Sequence, residues 1–209
     1  MGRAPSFCGV ILAAGESSRM GRPKALLPWG RGTFLSAAIK TLTAYTDMVI
    51  VVAGRNRAQI EPIVDANAAF LVVNPDPDRG QFSSLQLGLQ EVLNRGRDAA
   101  IVTLVDRPPA AAATVHHLRN EYLRLIRADK IWTVVPDCNG QHGHPIVVGR
   151  EMITTVLDAP ATANARDLMH ANPSRIAYVP VNDPFVAMNI DTPEYYERLC
   201  AATEIPVTR

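Results

Sequence analysis

Short, continuously apolar runs alternate along this chain with stretches whose apolar residues recur at helical spacing. Phe7–Ala13 (FCGVILA), Met48–Ala53 (MVIVVA), Phe70–Val73 (FLVV), Ala99–Val105 (AAIVTLV) and Ile131–Val135 (IWTVV) are the runs. A strand that is apolar at every position is covered on both faces, as strands of a mainly parallel sheet are. Between them, Thr33–Tyr45, Arg57–Asp65, Ser84–Arg95 and Ala111–Arg127 carry the helical period; Leu85, Leu89, Val92 and Leu93 share one face. Alternating elements of this kind predict an α/β fold with right-handed crossovers. The later part departs from the pattern. Pro145–Val148 and Ile176–Val181 are expected strands, separated by short helices at Arg150–Leu157 and Asn164–Ala171. They predict a small antiparallel extension that walls off one end of the sheet. A last helix, Pro193–Ala202, follows Thr192 as N-cap, with Pro193 in its first turn. No repeat, low-complexity tract or linker interrupts the chain, and 209 residues suit one domain spanning 1–209.

Composition narrows the function classes. The hydrophobic fraction is 47% and the charged fraction 20%, enough apolar mass for a real core. A formal net charge of +1 gives no basic field for nucleic acid, and no run approaches the ~18 apolar residues that span a bilayer. Of the 21 basic residues, only Lys24, Lys40 and Lys130 are lysines, so a lysine at a motif position stands out. Cys8, Cys138 and Cys200 are odd in number and far apart, which argues against a disulfide framework or a zinc site and fits a reducing cytoplasm. Arg3 followed by Phe7–Ala14 has some features of a signal peptide. The apolar stretch is short for one, contains Gly9, and runs into what reads better as a ligand loop.

That loop is Leu12-Ala13-Ala14-Gly15-Glu16-Ser17-Ser18-Arg19-Met20-Gly21. Ligands of open parallel sheets sit beyond the carboxyl ends of the strands, and the first strand delivers Ala14-Gly15 to such an edge. Small residues there let backbone N–H groups approach phosphate oxygens. Arg19 and Lys24 add positive charge, one as a fork and one as a point charge. The spacing matches neither GxGxxG nor GxxxxGK[ST], and composition alone leaves an ordinary strand-to-helix turn equally open. Extended to Arg22-Pro23-Lys24-Ala25-Leu26-Leu27-Pro28-Trp29, the segment closely resembles the signature of the nucleotidyltransferases related to molybdenum cofactor cytidylyltransferase and guanylyltransferase. The resemblance continues through Gly80–Leu89, Leu104–Pro108, Gly143–Val148 and Asn189–Tyr195. It implies a three-layer α/β/α fold like that of the nucleotide-diphospho-sugar transferases. It also implies nucleotide contacts from Leu12, Ala13, Ala14, Gly15, Arg19, Lys24, Gly80, Ser84 and Asp106.

Asp106 ends an apolar strand and Asp191 precedes the last helix. Two carboxylates meeting at a triphosphate suit Mg²⁺, which takes one or two carboxylates and completes its octahedron with phosphate oxygens and water. Each also has a bland reading, as a turn residue before Pro108 or as an acid at a helix N-terminus. The resemblance favours the metal, and makes Arg19, Lys24, Asp106 and Asp191 the catalytic set. Arg107 departs from it, standing where these enzymes often carry Gln or Met. Ser84 either reads a pyrimidine edge or, with Ser83, caps a helix; both remain open. His144, in Gly143-His144-Pro145, resembles a segment near the acceptor and is expected to contact it. His116, His117 and His170 read as surface or packing residues.

The resulting expectation is transfer of CMP from CTP to the phosphate of molybdopterin or molybdenum cofactor, with pyrophosphate released and the product passed to a recipient molybdoenzyme. Guanylyl transfer to the same cofactor, nucleotidyl transfer to a sugar or polyol phosphate, and a non-catalytic cofactor chaperone are the alternatives. The pair Leu12-Ala13-Ala14-Gly15, against Leu-Ala-Gly-Gly in guanylyl-transferring relatives, is what favours CTP.

Overall fold

Alternate residues of the first strand face opposite ways, and each side finds its own layer of helices. The computed structural model of the protein describes residues 3–15, 17, 20–128 and 130–203. The chain begins with strand β1 (Phe7–Leu12), a short hairpin of β2 (Pro28–Trp29) and β3 (Gly32–Thr33), and helix α1 (Phe34–Thr43). There follow β4 (Met48–Ala53), α2 (Arg57–Ala66), β5 (Phe70–Val73), α3 (Gln81–Asn94), β6 (Ala99–Leu104) and α4 (Ala112–Ala128). The later part holds β7 (Thr133–Cys138), β8 (Gln141–His142), β9 (Ile146–Gly149), α5 (Arg150–Asp158), α6 (Ala165–His170), β10 (Ile176–Pro180) and α7 (Pro193–Ala202). Among the described residues, no helix is long and apolar enough to cross a membrane.

The main sheet runs β10-β7-β9-β6-β1-β4-β5, with β8 paired to β7. Neighbours β6-β1-β4-β5 are parallel, as are β7 and β10. Strand β9 lies antiparallel between β6 and β7. The expected α/β fold on a mainly parallel sheet is therefore present. Its antiparallel part differs in placement: β9 is threaded into the sheet rather than closing off an end. Because β9 runs against its neighbours, it starts at the edge where β1, β6 and β7 finish. The residues just before it, His142 to Pro145, are delivered to that same edge.

Phe7 and Ile11 pack with Leu35, Ile39, Ile60, Val64, Val115 and Leu118 of α1, α2 and α4. Cys8, Val10 and Leu12 pack instead with Phe82, Leu85 and Leu89 of α3 and Met152 and Ile153 of α5. Each such aliphatic side chain contributes about 1.5–3 kcal/mol when fully buried. Gly88 lets α3 lie close to the sheet: a Cβ there would meet Val10 Cγ1 at 2.8 Å and Val52 Cγ2 at 3.0 Å. A third cluster, with Leu27, Phe34, Ile190 and Tyr196, docks α7 beside the β2–β3 hairpin. There the Tyr196 hydroxyl donates to the Pro28 carbonyl at 2.6 Å.

Helix starts follow local chemistry. Thr33 and Ser36 form a reciprocal capping box on α1, and the Thr192 side chain accepts from Tyr195 N to cap α7. Helix α3 starts three residues earlier than its periodicity suggests. Gly80, at φ 86°, ends a 3-10 turn over Pro77–Arg79 and leads directly into the helix. Neither Ser83 nor Ser84 is its N-cap.

Candidate active site

The loop after β1 is tied down before it turns away from the sheet. Ala13 N donates to Val52 O at 2.8 Å, and Asn56 Nδ2 donates to Ala13 O at 2.8 Å. Beyond it, Ser17 Oγ accepts from Lys24 N at 3.0 Å, folding the loop back on the 3-10 turn Lys24–Leu26. Leu12, Gly15, Ser17, Lys24, Gln81, Leu104, Val105 and Asp106 line a pocket of about 170 Å³ here. Arg19, Glu16 and Ser18 lie outside the described residues.

Asp106 sits two residues past the end of β6. Its carbonyl accepts from Ile190 N at 2.8 Å, which draws the segment carrying Asp191 to the same edge. Lys24, largely buried, donates from Nζ to Asp191 Oδ1 at 2.8 Å. The lysine expected on phosphate and the aspartate expected on metal are thus ion-paired in this structure. Asp106 Oδ1, by contrast, is enclosed and has no hydrogen-bond partner among the described residues. A carboxylate oxygen buried without a donor is costly unless something else is meant to meet it. Among the described residues, no group of three or more His, Cys, Asp or Glu gathers in a way that could hold a metal by protein ligands alone.

On one side of this pocket, Leu12, Ala14, Gly15, Pro77, Gly80, Gln81 and Ser84 surround about 200 Å³. Buried Ser84 Oγ accepts from Asn74 Nδ2 at 2.9 Å, and buried Asn74 is itself held by its N–H to Ala53 O at 2.8 Å. Since Ser84 accepts from Asn74, its own hydroxyl proton is available to an acceptor in the pocket. Asn56 and Asn74, which pin the loop and the serine, escape sequence reasoning. Their signal is a lone Asn just past each apolar run, easily read as a turn residue.

On the other side opens a cavity of about 670 Å³, sharing Leu12, Leu104 and Gln81 with the phosphate-sized pocket. Arg79, Arg107, Arg166, His142, His144 and His170 line it, and among the described residues no Asp or Glu does. His142 stacks on Tyr178 with ring centroids 4.1 Å apart. His144 lies in the wall with Nδ1 enclosed and unpartnered among the described residues. Burial, aided by the Arg107 charge, lowers its pKa from 6.5 to about 3, so the ring is neutral near pH 7. His170, expected to be a packing or surface residue, faces this cavity.

One carbonyl organises the wall. Val186 O accepts from His144 N at 2.9 Å and from Arg107 Nη1 at 2.9 Å. A Cβ on Gly143 would collide with that carbonyl, so this position admits only glycine without a shift. Asp183 holds the 3-10 turn Pro184–Ala187 in place. Its carboxylate accepts from Ala111 N at 2.8 Å, Thr114 Oγ1 at 2.7 Å and Phe185 N at 3.1 Å.

Comparison with known proteins follows the same lines. Residues 9–176 match the family described as the MobA-like NTP transferase domain. Molybdenum cofactor cytidylyltransferase of Escherichia coli (strain K12) is 29% identical over 194 residues, 88% of this chain and 91% of that protein. Nicotine blue oxidoreductase of Paenarthrobacter nicotinovorans, named for a different chemistry, is 28% identical over 199 residues, 93% of this chain and 97% of that one. The crystal structure of Rv0371c from Mycobacterium tuberculosis H37Rv superposes with a TM-score of 0.79 at 27% identity, covering 94% of this chain and 98% of that one. The chain belongs to the MobA-like NTP transferase family and is a nucleotidyltransferase.

Proposed function

We propose that this family member moves CMP from CTP to the phosphate of molybdopterin or molybdenum cofactor, releasing pyrophosphate. The observation that carries the reading is Asp106, whose enclosed Oδ1 lacks a partner among the described residues beside a phosphate-sized pocket. That pocket joins a small chamber at Ser84 to a large cavity whose charged lining, among the described residues, is basic.

The donor oxygens suit Mg²⁺: Asp106 and Asp191 supply hard carboxylates, and two such ligands leave room for phosphate oxygens and water. When bound, Mg²⁺ supplies charge neutralisation at the phosphoryl oxygens. The backbone N–H groups of Ala14 and Gly15, with Arg19 and Lys24, hold the triphosphate, whereas the Ala13 N–H, expected to join them, is already taken by Val52 O. In this structure Lys24, which lines the pocket, and Asp191 balance each other's charge. Leu12, Gly80 and Ala14 border the base, and the Ser84 hydroxyl donates to a pyrimidine carbonyl. Ala14 limits the space available to a purine.

On the acceptor side, an oxygen of the acceptor phosphate forms a bond to the α-phosphorus, and the bond to the bridging oxygen breaks toward pyrophosphate, which keeps the electron pair. A phosphomonoester has its second pKa near ~6 and is largely dianionic at neutral pH, so no general base is needed. Catalysis then rests on positioning and charge. Neutral His144 acts as a polar wall to the acceptor rather than as an acid. The three buried free cysteines are compatible with work in the reducing cytoplasm, and hand-over to a recipient molybdoenzyme completes the reading. CTP labelled in its α-phosphate tests it: with molybdopterin and Mg²⁺ the label should move to the acceptor, while β- and γ-labels leave together in pyrophosphate. Label retained in CTP, or released only as free CMP, overturns the proposal.

A further inference from the structure

Arg107 occupies the junction between the two chemical halves of the site. It follows Asp106 directly, lines the large cavity, and feels the carboxylates of Asp106 and Asp191 on one side and the His144 ring on the other. Burial lowers its pKa and the two aspartates partly restore it, but a guanidinium stays charged in a protein. Its Nη1 is fixed on Val186 O, which locks the plane of the fork. Its Nε is enclosed and has no partner among the described residues. A half-buried cation oriented by one carbonyl, lining a cavity to which no Asp or Glu among the described residues contributes, is placed to receive an anion.

We infer that Arg107 binds the attacking phosphate of the acceptor. The inference rests on the nucleotidyl-transfer reading above and deepens it by naming what brings the second anion in. Attack on a triphosphate asks two strongly negative groups to meet. A guanidinium on the acceptor side, within the field of the metal-side carboxylates, offsets that repulsion and orients the phosphate toward Asp106. An uncharged side chain at this position could not do this. Arg166 and Arg79 line the same cavity from exposed positions and are suited to steering rather than to holding the reacting group.

The test uses the full chain with Arg107→Gln, Arg107→Lys and Arg166→Gln. Arg107→Gln should raise the acceptor KM about 10- to 100-fold, the loss expected for a hydrogen-bonded charge, and leave the KM for CTP within about twofold. Arg107→Lys should recover part of the loss, and Arg166→Gln should change the acceptor KM far less. A second arm does not depend on turnover. With the nucleotide pocket filled by α,β-methylene CTP, glycerol 2-phosphate binding is followed by ³¹P NMR. Wild type should bind this phosphomonoester at least tenfold more tightly than Arg107→Gln. Equal binding by the two, or a parallel loss of CTP and acceptor affinity, overturns the inference. Arg107-dependent phosphate binding in a protein that transfers nothing to molybdopterin would overturn the choice of acceptor and leave the role of Arg107 standing.

Discussion

On the β1–β4 side of the sheet, one stretch of sequence supplies much of the site: Leu12 ends a strand, Ala14 and Gly15 follow it, and Ser17 and Lys24 come within a few residues, joined from farther along by Gly80, Gln81, Ser84 and Asp106. On the β9–β7–β10 side, it is made by residues scattered from Arg79 to Tyr178, brought together by one antiparallel strand and one anchored turn. In the proposed function the first side takes the triphosphate, through backbone and a short motif, and the second takes the acceptor, between long side chains on separate elements.

The comparison breaks most sharply at its hinge. Asp106→Asn removes the charged oxygen that has no partner among the described residues while keeping size and shape, at a sheet edge outside the core. Turnover should fall by roughly two orders of magnitude or more, through loss of a charged metal ligand, with the thermal unfolding midpoint little changed. A near wild-type rate at saturating Mg²⁺ would remove the metal from Asp106. Next in size is Gly143→Ala, which forces Val186 O away from His144 N and Arg107 Nη1. It should raise the acceptor KM about tenfold and cost about 1–3 kcal/mol of stability, with the KM for CTP unmoved. Equal effects on both substrates would mean that the two sides are not separable.

How much of this could be read in advance follows the same division. The strands of the parallel half, β4 and β5 to the residue, were legible because continuous apolar runs have few other uses. The loop and Lys24 stood out because they are neighbours along the chain as well as in space, and Asp106 because it ends an apolar strand. The pairing of Lys24 with Asp191, 167 residues apart, left no local trace. Nor did the cavity role of His170 and Arg166, since a histidine on a short helix has the same periodicity whether it faces solvent or substrate. No motif marks Asp183, yet its carboxylate anchors the turn that positions the wall of the large cavity. The antiparallel strand was foreseen, but its insertion between β6 and β7 depends on pairing that a single sequence does not encode locally.

Two smaller effects sharpen the comparison from either side. On the acceptor side, His144 is held neutral by burial, with its pKa lowered to about 3 from 6.5. The unfolded chain therefore takes up a proton first as pH falls. The stability held at and above about pH 6.5 is lost progressively toward pH 3. The loss should be on the order of 1–2 kcal/mol by pH 5, and His144→Gln should flatten it in urea titrations across that range. An unchanged slope would put His144 in contact with solvent. On the nucleotide side, Ala14→Gly opens the chamber bounded by Pro77, Gly80 and Ser84. It should narrow the preference for CTP over GTP by about 1 kcal/mol, read as the ratio of kcat/KM values. A ratio indifferent to residue 14 would separate that methyl group from base choice.

The measurement that bears most directly on the whole account is the initial rate of pyrophosphate release from each of CTP, GTP, ATP and UTP, with Mg²⁺, with and without molybdopterin. Release is expected from CTP above all others, and only when molybdopterin is present. Release from GTP in preference to CTP would move the enzyme out of cytidylyl transfer, and no release from any nucleotide with molybdopterin would contradict the acceptor on which the proposed function stands.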